Sequence, residues 1–172
     1  LLGYEHDLAG QVEDALHSVA RAIYVDNQLP DDCLSGEYSI ARRDNSGSDG
    51  IAYNTPQEAA DVVGPGDTVY FRAGTYQQPT SPQAVAVMEV MASGTEAQPI
   101  TFKPYSDEEV VFSAENAPYS NHWYCIELGT APSPNDDESG FGVSNIVIEG
   151  LVLTAATQAG LGIFAEADRI GA

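Results

Sequence analysis

Residues 145–164 read NIVIEGLVLTAATQAGLGIF. Three short runs stand in this stretch: Asn145–Glu149, Leu151–Ala155 and Gly162–Phe164. A tight corner at Gly150 and a turn containing Gly160 separate them. Val, Ile and Leu suit a pleated, half-buried surface, and glycine supplies the corners. The same succession stands upstream as Ile100–Lys103, Val110–Ser113 and Tyr124–Leu128. An earlier copy runs through Thr68–Phe71, the segment near Tyr76, and Ala84–Met91. Strand types that return in a fixed order, with loops of unequal length between copies, are the signature of a solenoid. The expected class is therefore all-β, a parallel β-helix, whose first coils occupy 68–172 and stand open at the C-terminal end.

In such a coil, inward side chains stack on their counterparts one turn away. Tyr70 or Phe71, Phe102, and Ile146 or Ile148 are expected in one column. Phe112 and Val152 form a second, and Ile126 and Ile163 a third. Each such side chain is worth roughly 1.5–3 kcal/mol on burial, before conformational entropy is subtracted.

The N-terminal part reads differently. Residues 8–22 place Leu8, Val12, Ala15, Leu16 and Val19 on one helical face, which predicts an N-terminal amphipathic helix within 1–22. Residues 23–67 are expected to hold a lead-in strand at Ile23-Tyr24-Val25, a long polar loop over 26–50 and a capping helix. Loops of that length are uncommon in compact domains and tend to be functional or flexible. Within it, Asp44-Asn45-Ser46-Gly47-Ser48-Asp49-Gly50 lacks the acid spacing and terminal glutamate of an EF-hand and reads as a turn cluster. Thr55-Pro56-Gln57-Glu58 combines a capping threonine, a proline at the first helical position and a glutamate three residues after the cap. A helix over 56–63 is expected, stopping at Gly64.

The charge is the unusual bulk quantity. Twenty-six acidic residues face six basic ones, giving a formal net charge of −20 over 172 residues, and Lys103 is the only lysine. Such a surface repels phosphate backbones and anionic headgroups, which excludes sequence-independent nucleic-acid binding. Three readings of the acidity stay open: a solvated surface, halophilic adaptation, or binding of divalent cations such as calcium. No stretch reaches the roughly 18 apolar residues that a membrane span needs. The chain starts at Leu1 without an initiator Met. A removed signal peptide would place it extracellularly or at the cell surface, and a trimmed segment would read the same way. Cys33 and Cys125 are either one disulfide of an oxidising compartment or two unrelated thiols.

Three stretches carry a resemblance. Pro65–Tyr76 (PGDTVYFRAGTY), Gly94–Phe102 (GTEAQPITF) and Ser144–Leu151 (SNIVIEGL) are similar to segments of right-handed parallel β-helix proteins, among them polysaccharide lyases of the pectate lyase, alginate lyase and chondroitinase B kinds. The similarity covers roughly residues 50–165. It implies a right-handed coil and polysaccharide chemistry, in which Lys or Arg abstracts a proton beside a uronate carboxylate, often with calcium.

Candidate chemistry is sparse. Lys103, beside a strand end, reads as a surface-facing structural lysine, because no cationic neighbour in sequence would lower its pKa. Arg72 reads as structural, paired with acidic neighbours, and Arg42-Arg43 as a solvated pair among aspartates. Asp136, Asp137 and Glu138 are the candidate calcium ligands, set against a solvated loop. Asn121, His122, Trp123 and Tyr124 are the candidate carbohydrate contacts, because aromatic faces stack on sugar rings and His and Asn bond hydroxyls. Packing of Trp123 over the coil is the alternative. Two functions follow: a lyase-like, carbohydrate-associated protein whose partner is polysaccharide, or a non-catalytic surface protein whose partners are copies of itself, stacked end to end in a filament.

Overall fold

The computed structural model describes residues 19–77, 86–115, 124–129, 142–156 and 158–164. Among them are strands β1 (Ala22–Val25), β2 (Ile51–Tyr53), β3 (Thr68–Phe71), β4 (Gly74–Gln77), β5 (Met88–Val90), β6 (Ile100–Pro104), β7 (Val110–Ser113), β8 (Tyr124–Leu128), β9 (Ile146–Ile148), β10 (Val152–Thr154) and β11 (Ala159–Ile163). One helix, α1 (Pro56–Ala60), accompanies them. The strands form a five-stranded sheet in the order β2-β1-β3-β6-β9, a three-stranded sheet β10-β7-β4 and a three-stranded sheet β11-β8-β5. Every ladder between named strands is parallel.

The expected class, a right-handed parallel β-helix with a capping helix and an additional amphipathic helix, is corrected by this arrangement. The described residues show eleven strands in three small parallel sheets and one short helix, not a solenoid. The inference overreached because a recurring order of strand types requires only that like strands lie side by side. It does not specify handedness or equivalent turns. Here β1 and β2 enlarge the first sheet, in an order that does not follow the chain, and have no counterparts in the other two. The amphipathic helix expected over 8–22 lies mostly outside the described residues; of those described, 19–21 are not helical and Ala22 begins β1.

The register also corrects the columns. Phe71, not Tyr70, points inward, and its ring stacks on Phe102 at 6.4 Å between centroids. Phe112 pairs with Leu153 and Tyr76, leaving Val152 outside; Ile126 pairs with Leu161 and Met88, while Ile163 pairs with Leu128. A strand's side chains alternate with period two, so a one-residue error in register moves the whole set to the other face. The segment near Tyr76 is strand β4, Gly74–Gln77.

Around Phe71, Phe102, Phe112, Ile100, Ile126 and Met88, all fully buried, the three sheets share one apolar core. α1 starts as expected: Thr55 adopts extended backbone, its Oγ1 accepts from the Glu58 amide at 3.4 Å and donates to the Glu58 carboxylate. It ends at Ala60, earlier than the expected Val63, with Asp61 as its C-cap.

The long loop is ordered by its own bonds. Cys33 bridges Ala52, Glu37 bridges Gly50, and Ser39 bridges Asp44. Asp44 accepts from Ser46, and the Gly47 amide donates to Glu37 O at 2.7 Å. A Cβ on Gly47 would stand 2.6 Å from Ser39 Cα, so only glycine lets the two backbones approach this closely.

Candidate functional site

The outer face of the five-stranded sheet is built by the residues that alternate with the core. Tyr24, Tyr70 and Lys103 occupy equivalent positions on β1, β3 and β6, because Tyr24 pairs with Tyr70 and Tyr70 with Lys103. Glu149 follows Ile148, the partner of Phe102, and its amide donates to Phe102 O at 3.0 Å, which sets it beside Lys103. The rings of Tyr24 and Tyr70 stack at 5.7 Å, and Tyr105 meets both edge-on at 6.0 Å. Lys103 Nζ lies over the Tyr70 ring, 5.6 Å from its centroid.

These side chains open a groove of about 570 Å³, lined by Tyr70, Lys103, Asp107, Glu108, Glu149 and Gly150 among others. Tyr70 and Lys103 are half-buried, whereas Asp107 and Glu149 are exposed. The floor is thus an aromatic ring with a cation above it, and the rim carries carboxylates. Tyr24 stacks on one face of the Tyr70 ring and the Lys103 ammonium covers the other, so the groove offers a sugar the edge of the tyrosine together with an ammonium and carboxylates that bond hydroxyls.

A polar network behind the groove holds its walls. Arg72 Nη2 and Nε bind the two oxygens of Glu108 at 2.8 and 2.9 Å, while Nη1 donates to Tyr38 Oη at 2.8 Å and Ile40 O at 2.7 Å. Tyr38 donates to Asp26 at 2.7 Å, and Arg43 Nε binds the same carboxylate at 2.9 Å. Burial works to raise the Asp26 carboxyl, but Arg43, Tyr38 and the Gln28 amide outweigh it and hold it below the usual range. The Glu108 carboxyl is held down chiefly by Arg72. Burial, then Asp26, pushes the Tyr38 hydroxyl well up, so it remains a neutral donor. Arg72 therefore has the structural pairing expected of it. The expected solvated pair divides: Arg43 is half-buried against Asp26, and Arg42 stays exposed beside Asp44 and Ser46.

The residues singled out from sequence do not meet in this groove. Asn121, His122 and Trp123 lie outside the described residues, as do Asp136, Asp137 and Glu138. Tyr124 belongs to the third sheet, where its ring meets Phe164 edge-on at 5.8 Å and its hydroxyl approaches Gln158 at 3.2 Å. Among the described residues no group of three or more His, Cys, Asp or Glu is placed to hold a metal ion. No helix among them is long and apolar enough to cross a membrane. The disulfide considered from sequence is not made. Cys33 and Cys125 are both free and buried, the first in a small cluster with Tyr24 and Tyr38, the second in the main core. Burial pushes both thiols up.

Sequence reasoning missed Tyr70 as a surface aromatic and set Lys103 aside. The signal was present in the alternation of Thr68–Phe71 and Ile100–Pro104, but only their register brings the two residues together.

No family model matches the chain, and no solved structure matches it significantly. A relative is found in Bacillus subtilis (strain 168). It is the uncharacterized protein YwoF, 28% identical over an alignment of 156 residues that covers 87% of this chain and 30% of YwoF. The chain therefore spans under a third of the length of that curated relative. The matched length exceeds the groove region, so the similarity to YwoF extends over most of the chain and is not confined to one motif.

Proposed function

We propose that this protein binds polysaccharide, outside the cell or at its surface, through the groove on the outer face of the five-stranded sheet. The observation that carries the reading is the Lys103 ammonium 5.6 Å over the Tyr70 ring, within a groove large enough for a sugar unit. The resemblance of residues 65–76 to the openings of polysaccharide lyases supports the same substrate class. Lys103 would contact a hydroxyl or carboxylate of the sugar, and Asp107 and Glu149 would accept from hydroxyls or share a bridging calcium ion with an anionic polymer.

Affinity electrophoresis through pectate, alginate and chondroitin, with and without calcium, tests it. The expected result is retardation on at least one polymer, weakened about threefold to tenfold by Tyr70→Ala, which removes the ring that Lys103 rests on. Release of unsaturated uronate product, read by absorbance, would extend the reading to lyase activity. Migration unchanged on all three polymers, or equal retardation of wild type and Tyr70→Ala, sinks it.

A second reading is self-assembly, favoured by one observation. β9, β10 and β11 are edge strands of their sheets, and Val152, Leu161 and Ile163 on the last two are 45%, 37% and 64% exposed. Among the described residues no further strand pairs with these edges, and edges with apolar side chains invite another copy. Sedimentation should then show concentration-dependent oligomers that Ile163→Asp abolishes; a strictly monomeric wild type ends this reading.

A further inference from the structure

The groove rim contains a backbone conformation that its residue does not favour. Tyr105, Ser106, Asp107 and Glu108 make the turn after β6, closed by the Glu108 amide on Tyr105 O at 3.2 Å. Ser106 stands in this turn with a φ of 53°. That is the left-handed region, where the Cβ of an L-residue crowds the following carbonyl and glycine, asparagine or aspartate is the usual occupant. Ser106, Asp107 and Glu108 all line the groove, so the strained residue adjoins a carboxylate that the groove presents. A residue keeps such a conformation only where its surroundings impose it.

The surroundings that impose it are Phe71, Arg72 and Ala73. Arg72, 5% exposed, grips the last residue of the turn: its Nε and Nη2 bind the two oxygens of Glu108 at 2.9 and 2.8 Å. The Ala73 amide donates to the same carboxylate at 2.7 Å. At the first residue of the turn, the Tyr105 amide donates to Phe71 O at 2.8 Å, and the Arg72 guanidinium carbon lies 5.1 Å from the centroid of the Tyr105 ring. Arg72 is itself anchored from behind, where Nη1 donates to Tyr38 Oη and Ile40 O at 2.8 and 2.7 Å. Only Ser106 and Asp107 span the gap between the two pinned ends, so the pins dictate their backbone.

We propose that Arg72 is a positioning residue of the groove: through Glu108 it holds Ser106 left-handed, and that corner sets Asp107 on the rim. Its consequence for binding rests on the polysaccharide reading of the groove, whereas the clamp on the turn does not. Without the clamp, Ser106 returns to the right-handed or extended backbone that serine prefers, and Asp107 leaves its place. Glycine at 106 has no Cβ and keeps the left-handed corner unaided. Ser106→Gly should therefore matter little to binding while the ion pair is intact, and restore binding where the ion pair is broken.

Four proteins test this: wild type, Glu108→Gln, Ser106→Gly and the double variant. Glutamine keeps the size of Glu108 but offers one acceptor oxygen where three donors converge. Amide exchange at position 108, read by NMR against the Thr101 amide of β6, needs no ligand. It should rise about tenfold in Glu108→Gln with Thr101 unchanged, and fall back most of the way in the double variant. Affinity electrophoresis through whichever of pectate, alginate and chondroitin retards the wild type should follow. Retardation is expected to be about tenfold weaker for Glu108→Gln, unchanged for Ser106→Gly, and recovered in the double variant. Equal rises at 101 and 108 overturn the clamp, because the ion pair would then only hold the fold together. A double variant that fails to recover either reading overturns it too. A wild type that no polymer retards overturns the polysaccharide reading, and exchange alone then decides the clamp. If Glu108→Gln fails to fold, Ser106→Val carries the test, since a β-branched residue tolerates the left-handed region least. With the ion pair in place it should raise exchange at 108 and weaken retardation; an unaffected Ser106→Val overturns the clamp.

Discussion

Arg72 and Glu108 form a two-pronged ion pair at the wall of the groove, with Arg72 Nη2 2.8 Å from Glu108 Oε1 and Nε 2.9 Å from Oε2. Glu108 also accepts from the Ala73 amide at 2.7 Å, so one carboxylate ties the end of β3 to the turn after β6. Glu108→Ala would leave the buried Arg72 guanidinium short of its anion. The expected cost is about 3 kcal/mol, read as a lowered urea midpoint. Arg72→Lys should recover little of it, since an ammonium cannot reproduce the planar fork.

Acid should weaken the protein through a different set of groups. The Asp67 carboxyl is nearly fully buried and accepts from the Arg21 and Gly64 amides at 2.8 and 2.9 Å. Burial works to raise it, but Arg21 and those amides hold it below the ordinary 3.8. A depressed carboxyl contributes stability above its unfolded value, and that stability is lost as pH falls through the folded one. Thermal midpoints should therefore drop steeply below about pH 4. Asp67→Asn should be less stable at pH 6 and flatter in this range; a variant profile parallel to wild type would refute the assignment.

Phe71 meets Phe102, Phe112 and Tyr76 within 6.4 Å between ring centroids, so it is the joint between the first and second sheets. Phe71→Ala should cost about 3–5 kcal/mol, because the surrounding rings cannot collapse into the space. Tyr70→Ala, one position earlier on the outer face, should cost far less stability. Paired denaturation curves of the two variants check the inward and outward assignment directly.

Thr55→Ala removes both halves of the reciprocal bond with Glu58 at the start of α1. A loss of about 1 kcal/mol is expected. Since α1 packs on β5, hydrogen exchange should rise at β5 before β3 or β6 responds.

Lys103→Met keeps much of the stem that covers Tyr70 and removes the ammonium. If the groove contacts an anionic polymer, retardation by pectate or alginate should lose part of its salt dependence while contacts to hydroxyls persist. Unchanged salt dependence would assign the contact to other residues.

The local punctuation of this chain was legible without a structure. Thr55-Pro56-Gln57-Glu58 announced a helix start, and Ile100–Lys103, Val110–Ser113 and Tyr124–Leu128 announced strands, because capping, β-propensity and turn chemistry act over a few neighbours. The candidate groove was not legible. Tyr70, Lys103 and Glu149 are remote in sequence and become neighbours only through the parallel register of β3, β6 and β9. Registry depends on long-range packing, and a one-residue slip reverses every face. That is why Val152 was assigned inward when Leu153 takes the place. It is also why a repeating order of strands suggested a coil, where tertiary pairing gave three small parallel sheets around one core. Composition and short spacing determined which segments become strands and how acidic their surface is; only the three-dimensional register decided which side chains meet.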